Sequence, residues 1–487
     1  MGTLSLETRR RLTLAATILG SSLAFIDASV VIVALPTIEQ DLDLGLTGVQ
    51  WIFLAYSLAL ASLYLVGGAI GDRYGRRRVF FWGVIGFAVA SVLAGAAPNG
   101  ATLIAARVLQ GVAGAFLTTN SLALLRAVYA ENAGRAIGLW TSFTSVATIL
   151  GPPAGGALVQ WTSWRWIFFL NLPVAAVTLA AAVLGRCDEK SMQRLGRLDL
   201  PGAALSALGF GALTYTLVEG ADKGFSTVWW AAVLSVTALG AFVWVERRVA
   251  EPMLDFKLFR RRNFAAANFE TFLVYGALYG QLVYFQLYLQ FLGFTPFEAS
   301  LLGIPVSAIM ILFAARFGAL ADRQGPRLYL TAGPALLGVS LLLLQFVGSK
   351  SEFWYAGVPS LLLFALGLAM LVAPITATAL KSAPAEAAGI ASGVNSTVSR
   401  LGSLLTVALI GLVISLVFEN RVGDRGVPLA RGQTAEALRD ASIDAFQTGM
   451  LLAAGLAFAG AGVAALWISD REARGELSEQ AAAPAGS

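Results

Sequence analysis

Apolar runs of about twenty residues, separated by turns that hold most of the charge, recur along the whole chain and limit its fold more tightly than any other feature. Fourteen can be marked, at residues 12–36, 51–71, 79–97, 101–126, 135–159, 165–184, 199–219, 228–246, 263–292, 298–321, 328–347, 353–380, 390–417 and 445–468. Each is close to the ~20 residues that a helix needs to cross the hydrocarbon core of a bilayer. The strands of a membrane barrel need only about 9–11 residues of alternating character, whereas these runs are long and continuous. Because an unpaired peptide group in lipid is costly, the expected fold is an all-α polytopic membrane protein with 14 transmembrane helices. Composition agrees, with 13% charged residues and 57% hydrophobic ones, against about 25% charged in soluble domains.

A formal net charge of +5 raises the question of an anionic partner. With the N-terminus in the cytoplasm, 25 of the 34 Lys and Arg residues fall on the cytoplasmic side, including Arg9–Arg11, the turn Arg73–Arg78, and the segments 186–197 and 247–262. Seven fall outside, four of them in a loop expected between Phe418 and Ala445, and Arg107 and Arg400 lie within runs. This is the positive-inside pattern, so the charge reports topology: both termini are expected in the cytoplasm, and no nucleic acid is implied. Arg9–Arg11 and the run behind them resemble a secretory leader, but the length of the run and the thirteen that follow favour a first spanning helix. Cys187 is the only cysteine, so no disulfide can form within the chain. There is no histidine, and proton chemistry near neutral pH therefore falls to carboxylates.

The turn "GDRYGRRR", Gly71–Arg78, has a second copy. Aligning Gly68–Arg77 (GAIGDRYGRR) with Gly318–Arg327 (GALADRQGPR) gives six identities in ten at an offset of 250 residues. Both copies lie between two runs on the expected cytoplasmic side. Repeated bundles with a substrate path between them are a common transporter design. The expected organisation is therefore an N-terminal six-helix bundle (1–184), an inserted helix pair with its flanking loops (185–262), a C-terminal six-helix bundle (263–468) and a disordered cytoplasmic tail (469–487). Glycines at Gly68 and Gly75 permit a tight turn and close helix approach. Asp72 can accept hydrogen bonds from helix-terminal amides or pair with arginine, which makes Asp72, Arg73, Arg76, Asp322 and Arg323 candidates for a cytoplasmic latch. The competing reading is a set of plain topology anchors.

At these positions the sequence resembles the major facilitator superfamily, and within it the fourteen-helix drug/proton antiporter family. The turn matches the superfamily's signature at Gly68, Asp72, Arg73, Gly75, Arg76 and Arg77. "DASVVIVALPTI" is similar to the family's first-helix motif at Asp27, Ala34, Leu35 and Pro36, with Ser29 and Ile32 where threonine and asparagine are more usual. "RVLQGVAGA" matches the fourth-helix motif at Arg107, Gln110 and Gly111. "GPPAGG", Gly151–Gly156, is similar to the antiporter signature, and "WRWIFFLNLP", Trp164–Pro173, resembles a segment of the fourteen-helix branch. The resemblance implies a proton-driven exporter in a bacterial cytoplasmic membrane.

Ionisable residues within a bilayer are costly and usually functional. Asp27 lies about 13 Å from the outer end of its helix and Arg107 about 9 Å, at ~1.5 Å per residue, so the two can meet. Asp27, Arg107 and Glu270 are the candidates for proton coupling. The alternatives are a permanent Asp27–Arg107 ion pair, with Arg107 orienting Gln110 and the backbone of the first helix, and a Glu270 paired with Asn268 or a nearby arginine. Glu270, Ala277, Gln281, Tyr284 and Tyr288 share one helical stripe, which either lines a cavity that attracts cations or belongs to the interfacial belt. Tyr56, Gln110, Asn120, Gln281, Tyr284 and Asn395 are candidates for a substrate path, while Trp51 reads as an interfacial anchor. Gly151, Pro152, Pro153, Gly155 and Gly156 read as an antiporter hinge, with a simple kink as the alternative.

The function these features favour is a secondary active exporter that exchanges protons for lipophilic or amphipathic compounds by alternating access, a multidrug efflux type. Proton-coupled uptake or facilitated transport of a dedicated small molecule is the alternative, and a membrane enzyme or sensor is remote. The chain has no G-x-x-x-x-G-K-[ST] loop, so ATP is not implied, and no cofactor or metal set is apparent. The expected partners are the lipid bilayer, the substrate and protons, with the protein acting as a monomer.

Overall fold

The computed structural model describes residues 5–129, 133–185, 199–249, 257–383, 388–423 and 426–470. Cys187, the basic residues of segment 186–197, Arg471, Arg474 and the expected disordered tail beyond Asp470 lie outside the described residues. Every regular element among the described residues is helical. The order begins with α1 (Leu6–Leu42), α2 (Gly45–Tyr74), α3 (Arg76–Gly95), α4 (Gly100–Val128), α5 (Ala133–Trp161), the short α6 (Trp166–Phe169) and α7 (Asn171–Leu184). Next come α8 (Leu200–Lys223) and α9 (Phe225–Glu246), joined through Gly224. The remainder is α10 (Arg262–Phe291), α11 (Pro296–Leu301), α12 (Gly303–Gln324), α13 (Arg327–Leu343), α14 (Lys350–Glu352), α15 (Val358–Lys381), α16 (Ala388–Val422) and α17 (Glu436–Trp467).

Thirteen helical stretches among the described residues are long and apolar enough to cross a membrane. Helix α5, with Pro152 and Pro153 inside it, occupies the place of the fifth apolar run. Several helices outrun the apolar stretch that marks them. Helix α16 continues to Val422 and α17 starts at Glu436, so the long loop expected between Phe418 and Ala445 is corrected to a shorter connection. The added residues of α17, Glu436–Asp444, contain good helix formers and open with an acid that suits a helix N-terminus; backbone bonding does not stop where apolar side chains do. Two runs are interrupted rather than continuous, at Leu170 between α6 and α7 and at Leu302 between α11 and α12.

The chain forms two compact units. The first comprises Met1–Glu251 with Phe294–Leu301. In it α4 packs against both α2 and α3, and α1 against α5 and α7. Small residues permit this closeness: a Cβ on Gly67 would stand 2.9 Å from the Ala115 carbonyl oxygen, and one on Gly83 2.9 Å from the Leu117 amide. Leu23, Phe80, Phe87 and Leu117 fill the space between. The pair α8 and α9 also belongs to this unit. It docks on α2, where the Trp51 indole, expected as an interfacial anchor, donates to Glu219 at 2.7 Å and its ring lies against Tyr215.

The second unit comprises Pro252–Gly293 with Leu302–Ser487. Helix α10 packs on α16 and α17, and α13 on α15 and α17. The sequence repeat is also a repeat of local structure. Helix α2 passes into α3 through Gly75 at φ 95°, and α12 passes towards α13 through Gly325 at φ 105°. Only glycine takes such angles without strain, so the shared glycine sets the turn in both copies.

Candidate functional site

The first unit encloses a charged network around Asp27. Asp27 on α1 is 2% exposed and Arg107 on α4 is fully buried. The guanidinium Nη1 of Arg107 donates to Asp27 Oδ2 at 2.5 Å and to Gln110 Oε1 at 2.8 Å. Arg107 and Gln110 are three residues apart and so share one face of α4. Gln110 Nε2 then donates to Asp27 Oδ1 at 3.1 Å and to Ser91 Oγ on α3 at 2.9 Å. Asn171, the first residue of α7, repeats that bridge, donating to Asp27 Oδ1 at 3.0 Å and to Ser91 Oγ at 3.2 Å. Three donors thus converge on one carboxylate, two neutral amides on one oxygen and a cation on the other, an arrangement complementary to an anion.

Arg107 is fixed on its other sides by α2. Its Nε donates to the Ile52 carbonyl at 3.2 Å, and the guanidinium lies 4.3 Å from the centre of the Tyr56 ring. Arg107 thus reaches the first helix through the Asp27 carboxylate and makes its backbone contact with the second helix. The reason is geometric: α4 packs closely on α2, where Gly111 meets the Tyr56 backbone. Its Nη2 has no hydrogen-bond partner among the described residues. Breaking a buried pair of this kind by removing one member typically costs ~3–5 kcal/mol, because the other charge stays behind.

The segment Trp164–Pro173 forms one wall of this site. Trp164 Nε1 donates to Asp41 near the end of α1 at 2.8 Å. Arg165 caps the end of α3 by donating to the Ala97 carbonyl at 2.7 Å and lies over the Trp164 ring. Phe168 is fully buried, with its ring 6.0 Å from the Arg107 guanidinium. The side chain of Asn171 completes the segment at Asp27. Neither Asn171 nor Ser91 is among the residues expected at the site. Asn171 lies inside the Trp164–Pro173 motif, but an uncharged polar residue in an apolar run is more often a helix joiner, and nothing local distinguishes this one.

Glu270 on α10 is also fully buried, and neither carboxyl oxygen has a hydrogen-bond partner among the described residues. It lies beside Gly460 of α17, where an added Cβ would stand 3.8 Å from the Glu270 Cγ. The alternative pairing with Asn268 is not formed: Asn268 donates to the Phe264 carbonyl and accepts from Asn395 at 3.3 Å. Within the stripe, which reads either as a cavity lining or as part of the interfacial belt, the two tyrosines pack on neighbouring elements. Tyr284 donates to the Val407 carbonyl of α16 at 2.6 Å, and Tyr288 donates to the Val347 carbonyl and stacks on Phe446 of α17. Both rings are fully buried, and Glu270 and Gln281 are the members of the stripe whose buried side-chain oxygens have no hydrogen-bond partner among the described residues.

Of the other path candidates, Tyr56 and Gln110 belong to the Asp27 network. Asn120 donates to the Gly67 carbonyl at 2.9 Å, tying α4 to α2 beside Gly71, where a larger residue would strike its side chain. Asn395 donates to Thr271 at 3.0 Å, tying α16 to α10.

At the latch positions Asp72 pairs with Arg76 at 2.7 Å, and Arg76 also donates to the Ala123 carbonyl of α4 at 3.2 Å. In the second copy Asp322 pairs across helices with Lys381 at the end of α15, at 2.7 Å, and Arg323 is exposed. Arg73 lies near the Tyr74 ring. At the hinge positions, Gly151 and Gly155 face Ser29 and Val30 of α1, and Gly156 faces Ser300 of α11. Both α5 prolines are accommodated within a continuous helix.

Comparison with known proteins follows the same lines. The sequence profile described as Major Facilitator Superfamily matches residues 17–407. The Multidrug resistance protein Stp of Mycobacterium tuberculosis is 38% identical over 83% of this chain and 76% of its own. The Puromycin resistance protein pur8 of Streptomyces alboniger is 32% identical over 95% of this chain and 92% of its own. The Tetracenomycin C resistance and export protein of Streptomyces glaucescens is 31% identical over 88% and 81%. Among solved structures, a bacterial homologue of the human lysosomal transporter Spinster superposes with a TM-score of 0.67 at 17% identity, covering 97% of this chain and 98% of that one.

Proposed function

The chain belongs to the Major Facilitator Superfamily, and from that premise we propose that it is a drug-efflux transporter which expels lipophilic or amphipathic compounds in exchange for protons. Relatives named for multidrug resistance, puromycin resistance and tetracenomycin C export support the efflux reading. The proton-coupling part rests on one observation above all, the buried Asp27 carboxylate held by Arg107, Gln110 and Asn171.

In this mechanism the Asp27–Arg107 contact is the switch. When the helices shift and the guanidinium withdraws, the carboxylate loses its counter-charge in a poorly solvated site and takes a proton; when the contact re-forms, the proton leaves. Glu270 is the second proposed proton site. A charge crossing 100 mV carries ~2.3 kcal/mol, and each pH unit adds about 1.4 kcal/mol. One or two protons therefore support a substantial compound gradient. Gly151, Pro152, Gly155 and Gly156 form the surface on which α1 and α5 move. Asp72 and Asp322, with their basic partners, form the cytoplasmic latches of the two six-helix bundles. The arrangement is that of the fourteen-helix antiporter branch, in a bacterial cytoplasmic membrane, with both termini in the cytoplasm and the protein monomeric.

Transport is tested in liposomes holding a pH-sensitive dye. With a proton gradient imposed, cationic, zwitterionic and neutral amphiphiles are added in turn. Proton movement that depends on the compound supports exchange. Compound counterflow without any proton movement contradicts coupling while leaving transport intact.

A further inference from the structure

The four arginines of Gly71–Arg78 do not have the same surroundings. Arg76 is engaged by Asp72 and the Ala123 carbonyl, Arg77 donates to the Ala182 carbonyl of α7, and Arg73 lies beside the Tyr74 ring. Arg78 has no hydrogen-bond or ion-pair partner among the described residues and is exposed. It stands at one end of a groove of about 660 Å³ between α2, α3 and α4, and it is the only charged residue among the described residues lining it. The rest of the lining is apolar or aromatic, including Tyr74, Trp82, Ala90, Leu109 and Phe116.

From this geometry we infer that the groove binds one anionic phospholipid, its phosphate at Arg78 and an acyl chain along α3. Three features fit that occupant. From Arg78 to Ala90 the groove follows α3 for about 18 Å at ~1.5 Å per residue, close to the ~15 Å of one leaflet, half of a ~30 Å hydrocarbon core. The exposed rings of Tyr74 and Trp82, at 58% and 62%, lie at the charged end, where amphipathic aromatic groups meet headgroups. Arg78 supplies an uncompensated cation where a phosphate would sit, and basic pockets between helices are suited to anionic headgroups. The site is separate from the Asp27 network. Bound lipid would brace α2, α3 and α4 at the turn proposed as a latch, so occupancy bears on transport through the bundle and not through the proton site.

The test is native mass spectrometry of the full chain in detergent, titrated with phosphatidylglycerol or phosphatidylcholine. Wild type is expected to retain phosphatidylglycerol about fivefold more strongly than phosphatidylcholine, the preference that one basic side chain gives near an anionic surface. Arg78→Gln should remove that preference and Arg78→Lys should keep it. Arg73→Gln, in the same turn but outside the groove, should leave it unchanged. Val112→Trp, which fills the groove without altering charge, should weaken retention of both lipids. Equal preference in wild type and Arg78→Gln overturns the assignment. So does a loss in Arg73→Gln as large as in Arg78→Gln, which would mean general surface charge, or displacement of phosphatidylglycerol by exported amphiphiles alone, which would make the groove a substrate entrance.

Discussion

At the scale of single residues the two buried acids differ in kind. Asp27 receives donors on both oxygens, whereas Glu270 receives none among the described residues. Replacing Asn171 by alanine leaves Asp27 Oδ1 with Gln110 alone and removes one of the two bridges to Ser91. A buried polar group that loses a partner costs ~1–3 kcal/mol. Asn171→Ala is therefore expected to unfold that much more readily in thermal denaturation, and its compound-dependent proton flux should fall more steeply than its compound binding. Unchanged flux would make Asn171 a packing residue only. Glu270→Gln has the opposite sign for stability. It removes a carboxyl that nothing compensates and keeps the shape, so thermal stability should hold or rise while the proton flux per transported compound falls. The charged members of the site are legible in the sequence because burying an ion in an apolar run is too costly to be incidental. Asn171 and Ser91 are not, since the contacts that single them out cross 144 and 80 positions of chain. Tyr284 and Tyr288 show the converse: helical spacing places them on one face but does not reveal that α16 and α17 cover it.

At the scale of elements, the runs locate the helices because membrane thickness sets a minimum apolar length. Their ends are less legible. Helix α17 continues past its apolar stretch to Glu436, and the sixth run breaks at Leu170, where the sequence shows neither glycine nor proline at the break itself. The repeated turn is readable as a glycine-centred connection, yet its two acids take different partners, Arg76 within the turn and Lys381 across helices. An i,i+4 pair such as Asp72–Arg76 contributes only ~0.3–0.5 kcal/mol to stability. Asp72→Asn should accordingly leave the melting temperature and the amount of protein in the membrane nearly unchanged while slowing transport several-fold. Wild-type transport by Asp72→Asn would reduce the turn to an anchor.

For the whole molecule, the proposed function stands on compound export and proton entry being joined at Asp27. Asp27→Asn tests that junction with little change of shape. The amide puts a donor against Arg107 or against Gln110 and Asn171, whichever way it is turned, and it leaves the buried arginine without a counter-charge. The measurement is compound-dependent dissipation of an imposed proton gradient in liposomes, wild type beside Asp27→Asn, with binding of the same compound measured on each. The expected result is a variant that binds the compound and moves no protons in response to it. Proton movement at the wild-type rate in Asp27→Asn would contradict coupling at this site and leave Asp27 and Arg107 as a structural ion pair.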